Sequence, residues 1–280
     1  MRKRFTCGKY DFVFENEDRI LSLLQPLDHP NIVKLLASYT HQGSRNLLFP
    51  LASGDLAGLF CAPRPPTFHS DHAFFGALNG LSSALESLHN FKFGDSPMIG
   101  CHFDVCPTNI LVDGGRFLLA DFGNSRLCGA DKRPEVLFRG ATGDYIGPEC
   151  ETLEVGYAQG HLVGKSSDIW SFGCVLAEVA TYMMRGPGSV EEFRGHRVKK
   201  LFGNITLYRF CHASEACPKV IEWLDDLGKD AGEEMRMLLR LVRRMLRVVP
   251  GQRPDAKDVM SALSEICGAP SLLAGCSITR

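Results

Sequence analysis

Long apolar runs are what this sequence most plainly lacks. The longest, over residues 172–184, is interrupted by Glu178 and is too short to cross a bilayer. No apolar segment follows the basic cluster Met1-Arg2-Lys3-Arg4, so that cluster is expected to be a solvated end rather than a secretory signal. Charge of one sign is missing too. With 31 basic and 32 acidic residues the net charge is −1, and neither nucleic acid nor membrane is expected as a partner. Eleven cysteines are present, yet none form a C-x-x-C pair. The spacings Cys101 to Cys106 and Cys211 to Cys217 suit neither a zinc framework nor a disulfide scaffold. A metal site from Cys211, His212 and Cys217 has no second ligand pair of matching spacing. The thiols are expected to be free in a reducing compartment, cytoplasmic or nuclear. Internal repeats and low-complexity linkers are absent.

What is there is an ordinary folding composition, 45% hydrophobic and 22% charged, over 280 residues. That length suffices for one large domain or two modest lobes. Residues 62–67, rich in proline, mark a loop. Before it, the apolar runs 32–36 and 46–51 suit two strands joined by a polar turn over 39–45. After it, Leu78, Leu81, Leu85 and Leu88 recur at steps of three and four and predict a helix over 71–89. Further helices are expected over 167–182, 219–227, 233–246 and 256–266. Between the two regimes, 110–112 and 117–120 form a predicted hairpin about Asp113-Gly114-Gly115. The stretch 269–280 is expected to be a loosely held tail.

Asp104 precedes this hairpin, Asp121 ends it, and Asn109 lies between them in sequence. A hairpin brings its ends together, so the three should converge. Two carboxylates and an amide oxygen make a hard, oxygen-rich site suited to Mg²⁺. One acid free to take a proton from a hydroxyl would fit phosphoryl transfer. The plain alternative is that the two aspartates are turn formers.

His102-Phe103-Asp104-Val105-Cys106-Pro107-Thr108-Asn109 resembles the catalytic loop H-R-D-L-K-P-x-N of eukaryotic protein kinases, and Asp121-Phe122-Gly123 resembles their D-F-G. Gly147-Pro148-Glu149 is similar to A-P-E, and Ser167-Asp168-Ile169-Trp170-Ser171-Phe172-Gly173 to the central-helix motif. Gln252-Arg253-Pro254 resembles the late arginine motif, and His29-Pro30-Asn31-Ile32-Val33 the approach to the fourth strand. Residues 48–56 resemble the hinge. The motifs occur in the family's order over nearly the whole chain. The resemblance implies an α+β, bilobal protein kinase-like fold over 1–268, with a small β-containing N-lobe and hinge (1–56) and a mainly helical C-lobe (57–268).

The same resemblance implies a Ser/Thr kinase that transfers the ATP γ-phosphoryl group to protein hydroxyls with Mg²⁺. Asp104 would be the base, and Asn109 and Asp121 the metal ligands. Lys3 and Glu17 would anchor ATP, with Lys9 a poorer candidate for the lysine. Leu48 would be the gatekeeper, Leu51 would belong to the hinge, Asp55 would lie near the ribose and Leu111 would floor the adenine pocket. His102, Phe122, Gly123, Thr142 and Asp168 would support the site, and Glu149 with Arg253 would form a buried ion pair. The wording of the hinge and of residues 178–194 is similar to kinase-like proteins of filamentous fungi.

Several positions depart from the pattern. Phe103 replaces the arginine that meets an activation-loop phosphate, so regulation by phosphorylation there is not expected. Cys106 replaces a lysine, and losing one such electrostatic contact typically costs on the order of 10²–10³ in rate. No glycine-rich phosphate loop precedes Lys3, which implies an N-terminally truncated small lobe with an exposed edge. These departures support an impaired enzyme, or alternatively a pseudokinase that acts as a binding or scaffold module. A small-molecule phosphotransferase shares the acid and amide chemistry but lacks counterparts to Gly147-Pro148-Glu149 and to residues 167–173.

Overall fold

The computed structural model describes residues 1–6, 11–130, 136–137, 143–151, 162–200, 206–212 and 215–268. The chain opens with strand β1 (Arg2–Thr6), helix α1 (Asp11–Leu24) and strands β2 (Ala37–His41) and β3 (Ser44–Leu48). These strands form an antiparallel sheet of order β1-β3-β2. Gln42 and Gly43, both at positive φ, make the two-residue turn between β2 and β3. α1 packs Phe14, Ile20, Leu21 and Leu24 into the core, and the Phe14 ring meets Phe5 of β1 edge-on at 5.4 Å.

The hairpin lies later in the chain than the apolar runs suggest. Residues 32–36, expected as its first strand, instead run alongside the strand that ends at Leu119 and touch it by a single parallel bridge at Ile32. The Val33 amide donates to Leu119 O (2.9 Å) and the Leu119 amide to Asn31 O (2.8 Å). The start of this stretch therefore packs onto the larger lobe, and only its last residue reaches the small sheet, where the Leu36 amide donates to Leu48 O (2.8 Å).

Beyond the hinge come β4 (Gly54–Asp55), α2 (Leu56–Phe60) and the long α3 (Asp71–His89), which Ser70 caps by accepting from the Ala73 amide at 3.2 Å. β5 (Phe91–Phe93) and β6 (Ser96–Cys101) follow, then β7 (Ile110–Asp113), β8 (Arg116–Leu119) and β9 (Arg126–Gly129). β7 and β8 pair as the predicted hairpin, with β4 added to its edge, and β9 joins β5 and β6. Phe68, Phe74 and Phe117 stack their rings 4.7 to 5.9 Å apart beneath the hairpin.

The remaining helices are α4 (Pro148–Glu151), α5 (Lys165–Arg185), α6 (Ser189–His196), α7 (Pro218–Lys229), α8 (Glu233–Met245) and α9 (Ala256–Ile266). α5 is buried without a break from Ser167 to Tyr182 and forms the axis of the larger lobe. At Gly173 a Cβ would stand 2.8 Å from Met245 Cβ, so glycine lets α5 and α8 approach closely. One continuous apolar core runs from Phe5 to Cys267 through both lobes. Cys61, Cys101, Cys106, Cys150, Cys174, Cys217 and Cys267 are free thiols. Among the described residues no helix is long and apolar enough to cross a membrane. Lys9, Thr142 and the expected tail 269–280 lie outside the described residues.

Candidate active site

The catalytic-loop segment is fixed from beneath by α5. Asp168, fully buried in the first turn, accepts from the amides of His102 and Phe103, both at 2.7 Å, and from His89 Nε2 at 2.9 Å. Phe103 is thereby held at φ 61°, a left-handed conformation that costs a bulky residue about 1–3 kcal/mol. Its ring packs against Ile146, Cys150 and Val163, which joins the loop to the 143–151 segment through apolar contact. His102 is fully buried: Nε2 donates to Ala120 O (3.0 Å) and Nδ1 accepts from the Asp104 amide (3.3 Å). The Phe122 ring stands edge-on to His102 at 4.9 Å.

The three sequence-predicted polar residues are brought together. Asn109 Nδ2 donates to Asp104 O (2.9 Å), and the Ala120 amide donates to Asn109 O (2.9 Å), which sets Asp121 beside them. Asp104 Oδ2 accepts from Asn124 Nδ2 at 3.1 Å. Cys106 does not turn to this carboxylate; its Sγ lies 3.2 Å from Thr108 Oγ1. Burial pushes the Cys106 thiol up to about 11, with nearby Asp104 adding to the rise, so it is a neutral thiol at physiological pH.

On the other side, Lys3 Nζ bridges Glu17 Oε2 (2.7 Å) and Asp121 Oδ1 (2.8 Å). Glu17 is 1% exposed. Burial is the largest influence on both groups: it raises Glu17 and pulls Lys3 down, but for Lys3 the two carboxylates outweigh it and hold the ammonium above its ordinary 10.5. Glu17 thus rises mainly through burial, with Asp121 adding to it and Lys3 opposing it, whereas Lys3 rises because two acids flank one cation. Asn16, one residue before Glu17, donates to Gly123 O (2.8 Å) and Ser125 O (3.0 Å) and clamps α1 onto the turn after Asp121. That turn is tight: a Cβ on Gly123 would meet Val13 at 2.9 Å.

The residues expected around an adenine disperse more. In the β1–β3 register Leu47 stands opposite Lys3 and is fully buried, whereas Leu48 pairs with Arg2 and Ala37 on the other face. Leu51 and Leu111 line a cavity of about 400 Å³ behind the hinge, whose walls include Val33 and Leu118 but not Lys3. Asp55 caps α2, accepting from the Gly58 amide at 2.8 Å. Farther off, Arg253 clasps Glu149 through two 2.7 Å bonds and also donates to Ser166 O, Arg247 O and Val248 O. Gly147 lies against this pair, where a Cβ would fall 2.6 Å from the Glu149 carboxylate.

Sequence reasoning missed Asn16, His89 and Asn124, and it took Asn31 only as part of a motif, without the bond from its Nδ2 to Phe117 O (2.8 Å). A polar residue on an otherwise apolar helix face was the available signal for Asn16 and His89; for Asn124 the signal was its place directly after Asp121-Phe122-Gly123.

Asp121 Oδ2 and Asn109 Oδ1 take no hydrogen bond among the described residues, and both are hard oxygens. This donor set fits Mg²⁺, which takes one or two protein oxygens and completes its shell with water and phosphate. No group of three or more His, Cys, Asp or Glu among the described residues could form an all-protein metal cage.

Comparison with known proteins agrees with this geometry. A family model described as a protein kinase domain matches residues 10–263. A probable serine/threonine-protein kinase of Arabidopsis thaliana is 31% identical over 88% of this chain and 33% of its own length. The leucine-rich repeat receptor-like protein kinase TDR of the same plant is 30% identical over 88% of the chain and 22% of its own. The serine/threonine-protein kinase Nek2 of Homo sapiens is 25% identical over 90% of the chain and 51% of its own. The chain thus spans a third or less of the two plant relatives and about half of the human one.

Proposed function

The chain belongs to the protein kinase domain family, and from that premise we propose that it transfers the γ-phosphoryl group of ATP to Ser/Thr hydroxyls of a protein substrate, at a rate reduced by the neutral thiol of Cys106. The observation that carries the reading is the bridge from Lys3 to Glu17 and Asp121, beside the interlocked Asp104 and Asn109. Residues 1–56 and 57–268 act as the two lobes of this unit, in the cytoplasm or nucleus.

In this reading Lys3, held by Glu17, binds phosphate oxygens as a point charge. Asp121 Oδ2 and Asn109 Oδ1 would hold Mg²⁺, which would supply charge neutralisation at the phosphates of ATP, the phosphoryl donor. Asp104 takes the proton of the attacking hydroxyl, with Asn124 fixing Oδ2 so that Oδ1 meets the substrate. Ser/Thr as the acceptor class rests on the names of the relatives and on Pro107-x-Asn109.

The test is a thermal-shift titration with ATP and Mg²⁺ on the native chain and on Asp121→Asn, with radiolabel transfer to casein measured in parallel. A Mg²⁺-dependent stabilisation of several degrees, lost in the variant and accompanied by labelled phosphoserine or phosphothreonine, is expected. A second reading, a nucleotide-binding scaffold without turnover, is favoured by the Cys106 thiol lying against Thr108. Stabilisation without transfer would establish it, and no shift at millimolar ATP would remove both.

A further inference from the structure

α8 segregates its residues by character. Leu238, Leu241, Val242 and Met245 are buried on one side. On the other, Arg236, Arg240, Arg243 and, just past the helix end, Arg247 recur at steps of three and four and form one ridge. The whole chain is almost neutral at −1, so this is local segregation of charge rather than a general basic surface.

The ridge borders a groove between α7 and α8. One hollow of about 350 Å³ has Leu224 and Leu239 in its floor, 1% and 4% exposed, and Lys229, Arg236 and Arg240 on its walls. An adjoining hollow of about 400 Å³ is lined by Ile221, Leu246 and the 53% exposed Val249, with Arg247 beside them. Arg243 lines both. Across the two, five cations face one carboxylate, Asp225.

Internal pairing leaves this charge available. Arg240 meets Glu233 at 2.6 Å, Arg236 reaches the same acid at 4.0 Å, Arg243 meets Asp225 at 2.5 Å and Lys229 meets Asp226 at 2.9 Å. These are exposed pairs, which a competing carboxylate can replace at little cost. Arg247 and neighbouring Arg244 have no acidic partner among the described residues. A nucleic acid or a lipid headgroup layer would use the cations and leave the apolar floors unfilled. A peptide with both acidic and large apolar side chains uses both.

We propose that the α7–α8 groove docks an acidic, apolar-bearing segment of a partner protein. Its Asp and Glu side chains meet Arg236, Arg240 and Arg247, and its apolar side chains fill the hollows over Leu239 and beside Val249. The docking does not depend on phosphoryl transfer and stands whether or not the chain turns over ATP.

The test is fluorescence anisotropy with a labelled twelve-residue peptide of alternating Glu, Asp and Leu, titrated with the full chain at 50 and 200 mM salt. Saturable binding that weakens severalfold at the higher salt is expected. Arg236→Glu with Arg247→Glu should weaken it at least tenfold. A control pair of equal charge change at distant exposed sites, Lys34→Glu with Arg116→Glu, should leave it within twofold. Val249→Asp should weaken it at least threefold at both salts. Thermal melts confirm that each variant folds. No binding at millimolar chain, or equal loss in both double variants, overturns the proposal. So does tighter binding, through the same arginines, of single-stranded DNA or of phosphatidylserine vesicles.

Discussion

Asp104 has one carboxylate oxygen held by Asn124 at 3.1 Å, where the family resemblance leads one to look for a cation from position 106. A neutral amide orients the base without adding positive charge, so its removal should cost orientation alone. Asn124→Ala is expected to lower kcat about tenfold, equivalent to about 1.4 kcal/mol of barrier, with the KM for ATP within twofold. Steady-state kinetics checks this; an unchanged kcat would sink the role. Lys3 makes a different prediction. Its folded value lies above 10.5, so its stabilisation is fully present below 10.5 and is lost as pH rises through the folded value. Lys3→Met should therefore melt well below the native chain at pH 7–10, and the gap should narrow above 10.5. A gap that does not change with pH would mean that the ammonium's charge is not what stabilises the site.

At the scale of elements, the 146–151 segment is held to the larger lobe by charge where the catalytic loop is held by backbone bonds. Arg253 is fully buried at its side chain and Glu149 nearly so, at 12%. Arg253→Ala leaves a carboxylate in that setting with no partner and should cost about 3–5 kcal/mol. Gly147→Ala keeps the pair but drives a Cβ into a carboxylate that the arginine prevents from yielding, at about 1–3 kcal/mol. Urea denaturation of the two variants should give that order. The reverse order would show that the pair is solvated and the glycine contact slack.

Across the whole molecule, α5 is buried from Ser167 to Tyr182, packs on α6, α7 and α8, and holds the catalytic loop through Asp168. β2, an edge strand of the small sheet, is exposed at all five residues. Native-state hydrogen exchange should accordingly show α5 amides among the last to exchange, near the global unfolding free energy, and β2 amides orders of magnitude faster. Equal protection would mean that the small sheet and the larger lobe open as one unit.

Much of this was legible in the chain itself. The period of α3, the Gly-Gly turn between β7 and β8, and the ordered polar motifs are local patterns, and each needs only neighbouring residues to declare itself. That Asp104, Asn109 and Asp121 converge followed from the hairpin between them. Other features depended on partners far away in sequence. Residues 32–36 read as a strand because they are apolar, but Val33 bonds to Leu119 and only Leu36 reaches the small sheet, at Leu48, and no local signal specifies that choice. Leu48 is the residue expected as gatekeeper, yet the pairing register sets Leu47 opposite Lys3 and Leu48 on the other face, since a shift of one residue reverses every side chain of a strand. Asn16, Asn31, His89 and Asn124 became structural parts only when their partners, 20 to 109 residues away, were folded against them. The sequence by itself determined which chemical groups and which elements exist, because periodicity and turn chemistry are short-range. The tertiary structure alone decided which groups face one another, because that is set by register and by long-range packing.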